Sequence, residues 1–332
     1  MSHLLRVEDL TVNFALRTGD LTALNGVTFA LGEGERLGLV GESGAGKSVA
    51  GFSIINLISK PGYIAGGRVL FQGEEISALP QEAVRRIRGD RIAMVFQDPM
   101  MTLNPVLTIG TQMVETLLAH RHMSQTEAEE IAVAKLRQVH IPSPEKRLHQ
   151  YPHEFSGGMR QRIIIAIALL NDPRLIIADE PTTALDVTIQ AEIMDLFLEL
   201  CQETRMGLIL ITHDLAVVSE TTEKIAVMYA GKIVEEGRTG DVVSAPRHPY
   251  TQGLISALPQ GDHRGTRLNQ IPGTMPTLTR IPPGCSFHPR CPHVMEICSR
   301  VEPAPLRVDY PEGGEGMAAC HLYDPKHLDK TA

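Results

Sequence analysis

Short apolar runs set off by glycine and polar turns fill the first hundred residues. Residues 5–14 alternate imperfectly between apolar and polar, and 23–31 follow a polar turn at 18–20. A compact apolar run at 36–40 follows a second turn at 32–35. Runs this short, bounded by turn residues, predict strands. The pattern then predicts a helix at 49–58, an edge strand at 67–71, a basic helix at 82–88 and a buried strand at 91–96. From 98 to 171 the spacing is helical almost throughout, most clearly over 126–139, and reads as a helical insertion between strands. Strands resume at 175–178, 208–211 and 225–229, with a helix at 189–201 between the first two. Apolar strands alternating with helices predict an α/β fold, a mostly parallel sheet covered on both faces.

The pattern changes after about residue 246. Proline and glycine become frequent, periodicity fades, and four of the five cysteines fall between 285 and 320. This predicts two domains, 1–245 with a helical subdomain near 98–172, and a C-terminal extension over 246–332. The extension is core-poor enough that a metal would help hold it together.

Composition narrows the class. With 332 residues, 43% hydrophobic and 21% charged, the chain is an ordinary globular one. The longest apolar run, 163–170, falls far short of the roughly 20 residues a membrane span needs. The first residues lack a signal-peptide pattern. A net charge of -8 argues against duplex nucleic acid as a partner, since phosphate neutralisation needs clustered Lys and Arg. In the reducing cytoplasm expected by default, a cysteine cluster points to metal before disulfides.

Gly41-Glu-Ser-Gly-Ala-Gly-Lys47-Ser48 matches G-x-x-x-x-G-K-[ST], with a strand before it and a helix after it. Its glycines let backbone N–H groups turn inward, and the helix adds its positive end, so the loop is built for a polyphosphate. The expected nucleotide contacts are Gly41, Glu42, Ser43, Gly44, Ala45, Gly46, Lys47, Ser48 and Val49. Lys47 would reach the β- and γ-phosphates, and the Ser48 hydroxyl would bind Mg²⁺. Alone, the loop does not separate kinases, GTPases, helicases and transport motors. About 130 residues later an apolar strand ends in Asp179 and Glu180. Asp179 is placed for the Mg²⁺ shell and Glu180 for taking a proton from attacking water.

Phe155-Ser156-Gly157-Gly158-Met159-Arg160-Gln161 precedes a strong helix. Ser156 as a cap, followed by two glycines, makes a second anion site at a helix start. Here the chain resembles the ABC ATPase family, whose signature reads Leu-Ser-Gly-Gly-Gln; Phe155 and Met159 depart from it. The resemblance covers about residues 4–240 and implies an ABC-type nucleotide-binding domain: a RecA-like core, an N-terminal antiparallel β subdomain and the helical insertion. It also implies roles: Gln97 as the Q-loop residue touching Mg²⁺, Asp186 in the D-loop, His213 at the γ-phosphate, and Phe14 as the aromatic stacking on adenine. In that family ATP sits between the loop of one subunit and the Ser156-Gly157-Gly158 of a partner, so ATP would close a head-to-tail pair and hydrolysis would reopen it. Residues 98–113, with Pro99, Met100, Met101 and Pro105, would dock a membrane subunit, although a local core explains them as simply.

Cys285, Cys291, Cys298 and Cys320 follow C-x5-C-x6-C-x21-C. Zinc knuckles use closer pairs, so spacing supports four-thiolate ligation without naming the metal, and buried free thiols remain an alternative. Cys201 reads as core. His248-Pro-Tyr-Thr-Gln-Gly-Leu254 and Pro282-Pro-Gly-Cys285-Ser-Phe-His-Pro-Arg-Cys291-Pro resemble the extension of the oligopeptide/dipeptide (peptide/nickel) importer ATPases. That resemblance implies a 4Fe–4S cluster on the four cysteines, alongside ATP and Mg²⁺. It further implies a motor subunit of a bacterial peptide importer on the cytoplasmic face of the inner membrane. The partners would be a second, homologous ABC ATPase, two permeases and an external binding protein. The same motor serving another cargo, such as a nickel chelate, opine or glutathione, stays open. A soluble ABC ATPase acting on nucleic acid or ribosomes is the other class.

Overall fold

The computed structural model describes residues 3–98, 102–183, 185–258, 270–311 and 313–328. Contacts divide the chain into two units, one of residues up to Leu31, Arg36–Ser77 and from Ile211 on, the other of Gly32–Glu35 and Ala78–Leu210.

In the first unit, β1 (His3–Leu16), β2 (Gly19–Gly32), β4 (Gly62–Phe71) and the two-residue β5 (Glu74–Glu75) form an antiparallel sheet in the order β2-β1-β4-β5. Leu5, Val7, Leu10 and Val12 of β1 are buried, as the imperfect alternation implies. The imperfection has a local cause. The β1–β4 register slips between Glu8 and Val12, where Asp9 takes φ 48. Gly67 lies opposite, at φ 76, where a Cβ would sit 2.3 Å from the Asp9 carbonyl oxygen. β4 is longer than the edge strand expected, and β5 covers only its end.

β3 (Arg36–Val40) of the same unit pairs in parallel with β9 (Lys224–Tyr229), as two short buried runs should. β9 turns back at Ala230-Gly231 into β10 (Lys232–Arg238). Two short strands, β11 (Leu306–Asp309) and β12 (Glu315–Ala318), extend the sheet through β10–β12 pairing. Residues after 245, expected to stand apart, therefore share a sheet with the residues before them. Sequence periodicity could not reveal this, because each added strand is four residues long.

Polar burial secures that junction. Glu235 of β10 is fully buried. Its carboxylate accepts hydrogen bonds from the backbone N–H of Arg247 (2.7 Å) and His248 (2.9 Å) and from the Tyr310 hydroxyl (2.8 Å). Burial pushes the Glu235 carboxyl above its ordinary value, against the opposing pull of those donors.

The second unit begins its regular structure with α2 (Gln81–Ile87) and holds the parallel pair β6 (Ile92–Val95) and β7 (Leu175–Asp179), registered Ile92↔Leu175 to Val95↔Ala178. Between them in sequence come the helices foreseen as an insertion: α3 (Ile109–Leu118), α4 (Gln125–Gln138), the short α5 (Pro144–Arg147) and α6 (Gly157–Ala168). α4 opens with a reciprocal capping box between Ser124 and Glu127 and buries Ala128, Ala132 and Leu136. After β7 comes α7 (Val187–Thr204), whose Cys201 is core as expected. β8 (Gly207–Thr212) then carries the chain out of this unit.

Glu235→Ala would leave two buried N–H groups and one hydroxyl without acceptors. At about 1 to 3 kcal/mol per orphaned group, a loss of at least about 3 kcal/mol is expected, read as a lower thermal midpoint. An unchanged midpoint would show that this junction does not depend on the carboxylate.

Candidate nucleotide-binding and hydrolysis site

The phosphate loop belongs to the first unit. β3 is buried along most of its length and delivers the chain to Gly41, whose φ is 153 and whose added Cβ would meet the Met228 carbonyl oxygen at 2.3 Å. No side chain fits there. The loop folds on itself through the Ala45 N–H donated to the Glu42 carbonyl (3.2 Å), and the Gly231 N–H reaches the Ala45 carbonyl (2.9 Å). α1 (Lys47–Ile54) starts directly after Gly46, at φ 104, with no side-chain cap. A helix start without a side-chain cap is the arrangement that suits an anion. Lys47 is 5% exposed, and its ammonium donates to the carbonyls of Gly41 (2.7 Å) and Glu42 (3.1 Å). Its charge is thus aimed back over the loop.

Two further expected residues lie in this unit. His213 is exposed, one residue past the end of β8. Asp214, its neighbour, caps α8 (Leu215–Thr221) by accepting from the N–H of Ala216 and Val217. Phe14 sits on β1 opposite Gly62, so close that a Cβ on that glycine would lie 2.8 Å from the ring.

The second unit carries the acids. β7 is buried at every position through Asp179, which is 3% exposed at its carboxyl end. Glu180 follows at φ 44, a left-handed turn that takes its side chain off the strand direction. Its carboxylate accepts from the Gln97 side-chain amide (3.0 Å) and from the Thr183 hydroxyl (2.9 Å). Gln97 and Glu180, 83 residues apart, are brought together. Thr183 is a partner the sequence reading missed; its three-residue spacing from Glu180 was the available signal.

Ser156 is the N-cap of α6, its hydroxyl accepting from the Met159 N–H at 3.4 Å. Gly158 has a packing reason of its own, since a Cβ there would meet Ile189 of α7 at 2.7 Å. Asp186 caps α7, accepting from the Ile189 N–H at 3.0 Å. Ala184 of the expected D-loop, and Pro99, Met100 and Met101 of the expected docking stretch, lie outside the described residues. Within the rest of that stretch Leu103, Ile109 and Met113 are core, while Val106 is 74% exposed.

The four late cysteines line one small cavity of about 10 Å³, together with His248, His288, His293 and His321. Burial pushes the Cys285 and Cys291 thiols up and Cys320 to about 12, with the nearby thiols adding to the shift. Among the described residues, no group of three or more His, Cys, Asp or Glu side chains is arranged to hold a metal ion. The thiols converge without forming a metal centre. Nor is any helix of the described residues long and apolar enough to cross a membrane.

Comparison with known proteins fits this geometry. Residues 24–183 match the ABC transporter family, and residues 234–298 match the oligopeptide/dipeptide transporter C-terminal region. The chain is 51% identical to the oligopeptide transport ATP-binding protein OppD of Escherichia coli, over 90% of this chain and 89% of that protein. It is 49% identical to the dipeptide transport ATP-binding protein DppD of Bacillus subtilis, over 91% of each. Among solved structures, the dimeric bacterial ABC transporter cassette MJ0796 aligns with TM-score 0.63 and 29% identity, covering 71% of this chain and 98% of that one. CbiO1 of Clostridium perfringens aligns with TM-score 0.64 and 26% identity over 74% of this chain and 92% of its own. The chain therefore belongs to the ABC transporter ATP-binding proteins of the oligopeptide/dipeptide family and is an ATP-hydrolysing transport subunit.

Proposed function

We propose that this ATPase drives import of di- or oligopeptides through separate membrane permeases. The observation that carries the hydrolytic half is the Gln97–Glu180 hydrogen bond beside the buried Asp179. The cargo half rests on what the relatives are named for, oligopeptide and dipeptide transport. The working assembly would hold a second, homologous ATPase, two permeases and an external binding protein, with this chain on the cytoplasmic face of the inner membrane.

In the proposed mechanism the amides from Gly41 to Val49, with Lys47, cradle the triphosphate, and Phe14 meets the adenine. Ser48, Gln97 and Asp179 offer hard oxygen donors suited to Mg²⁺, which supplies charge neutralisation at the phosphates when bound. Glu180 takes the proton of the attacking water, and His213 stabilises charge at the γ-phosphate. Gln97 and Thr183 hold the Glu180 carboxylate until the site is assembled. Ser156, Gly157, Gly158 and Asp186 serve the nucleotide of a partner subunit, so that closure of the pair follows ATP and reopening follows hydrolysis. Val106 belongs to the surface that meets a permease.

What supports a thiolate-bound group here is that Cys285, Cys291, Cys298 and Cys320 all line one small cavity, in a segment that resembles the extension of the peptide importer ATPases. We assign a 4Fe–4S cluster to Cys285, Cys291, Cys298 and Cys320, where it would cross-link a segment short of apolar core.

Glu180→Gln is expected to bind ATP as the parent does, to lose hydrolysis by at least about a hundredfold, and to accumulate the closed dimer on gel filtration. Parental turnover in that variant would remove Glu180 as the base. Lys47→Ala is expected to weaken Mg-ATP binding at least about tenfold in an equilibrium titration. Purified without oxygen, the protein should be brown with broad visible absorption, lost in Cys291→Ser; a colourless protein with stoichiometric zinc would exclude the iron–sulfur assignment.

A further inference from the structure

Glu42, the second residue of the phosphate loop, is an odd choice on electrostatic grounds. A loop whose amides collect a polyphosphate gains from positive potential, and a carboxylate within it works against that. The structure supplies an answer from the far end of the chain. Arg290, 7% exposed, grips Glu42 with two parallel bonds, Nη1 to Oε2 at 2.7 Å and Nη2 to Oε1 at 2.9 Å. A two-pronged guanidinium–carboxylate pair fixes direction as well as charge.

Arg290 is itself held on every side. Its Nε donates to the Pro272 carbonyl at 2.9 Å, its Nη1 reaches the Tyr229 hydroxyl at 3.4 Å, and its plane lies over the Tyr229 and Phe287 rings. Tyr250 completes the clamp, its hydroxyl accepting the Glu42 backbone N–H at 2.8 Å. Side chain and backbone of one loop residue are thus both taken by residues from beyond 245. Met275 adds a third contact, its methyl lying 3.1 Å from where a Gly44 Cβ would be.

We propose that Arg290 is a positioning residue of the nucleotide site, neutralising Glu42 and holding its carboxylate on the extension so that the loop presents amides and Lys47 to the phosphates. The extension is then a working part of the ATP site. The proposal rests on the phosphate-loop reading of residues 41–48, which Lys47→Ala tests separately.

The test is a charge-rescue series on the full-length chain, with the Kd for Mg-ATP measured by titration and folding checked by thermal melting. R290Q frees the carboxylate and is expected to weaken Mg-ATP about tenfold, equivalent to about 1.4 kcal/mol. R290M keeps an apolar stem against Tyr229 and Phe287, removes the charge, and is expected to do the same; it serves should R290Q fail to fold. Adding E42Q to either removes the uncompensated charge and should restore affinity to within about threefold of the parent. A merely structural arginine would not be rescued in this way. Parental affinity in both single variants, or a double variant no tighter than its single, overturns the proposal. Loss of binding in Lys47→Ala with no effect at Arg290 sinks this inference alone; parental binding in Lys47→Ala sinks the loop reading beneath it.

Discussion

A protein holds a polyphosphate with backbone amides only where the chain can turn several of them toward one point, and that requirement governs this molecule. It forbids a side chain at Gly41, where Met228 crowds the backbone, and it leaves the start of α1 without a side-chain cap. An amide already satisfied by a capping side chain has less to offer a ligand. The same demand explains the posture of Lys47, bent back to the Gly41 and Glu42 carbonyls. The loop is held by β3 before it, α1 after it, and Ala45–Gly231 at its flank. Little of its shape is left to the ligand.

The hydrolytic residues follow a different logic. Asp179 is fixed by burial at the end of a strand, whereas Glu180 is fixed by partners after a left-handed turn. Glu180, proposed above as the base, sits past the end of the buried strand. Gln97 and Thr183 both donate to the same oxygen, Oε2. The other oxygen is spared those two donors. Ser156 and Asp186, both proposed to serve a partner's nucleotide, each also cap a helix, α6 and α7.

Much of this was legible in the sequence because it depends on local pattern. Short apolar runs gave β3, β6, β7, β8 and β9 to within a residue or two, and Ser156 declared itself as a cap by type and place. The phosphate loop was readable because glycine is the residue its backbone angles admit. What escaped depends on partners distant in the chain. Thr183 is a common residue in a turn until Glu180 is seen leaning on it. β11 and β12 carry too few residues for a period to show, and their pairing is set by β10. Nothing in the sequence pairs Arg290 with a partner; only the fold reveals its carboxylate, Glu42, 248 residues away.

The extension shows how a segment with little core can still be ordered. Two of its buried rings, Tyr250 and Phe287, pack with Tyr229 of β9 in one aromatic cluster whose ring centroids lie 4.7 to 5.4 Å apart. Around that cluster stand two buried charges, Glu235 and Arg290, each supplied with several partners across distant stretches of chain. A buried charge is costly unless fully paired, so each one tolerates few alternative arrangements and gives the segment specificity that hydrophobic area alone would not. Phe287 lies between the two halves of this design, packed on Tyr229 and Tyr250 and lining the cysteine cavity. The ring that supports Arg290 is therefore also a wall of the thiol site.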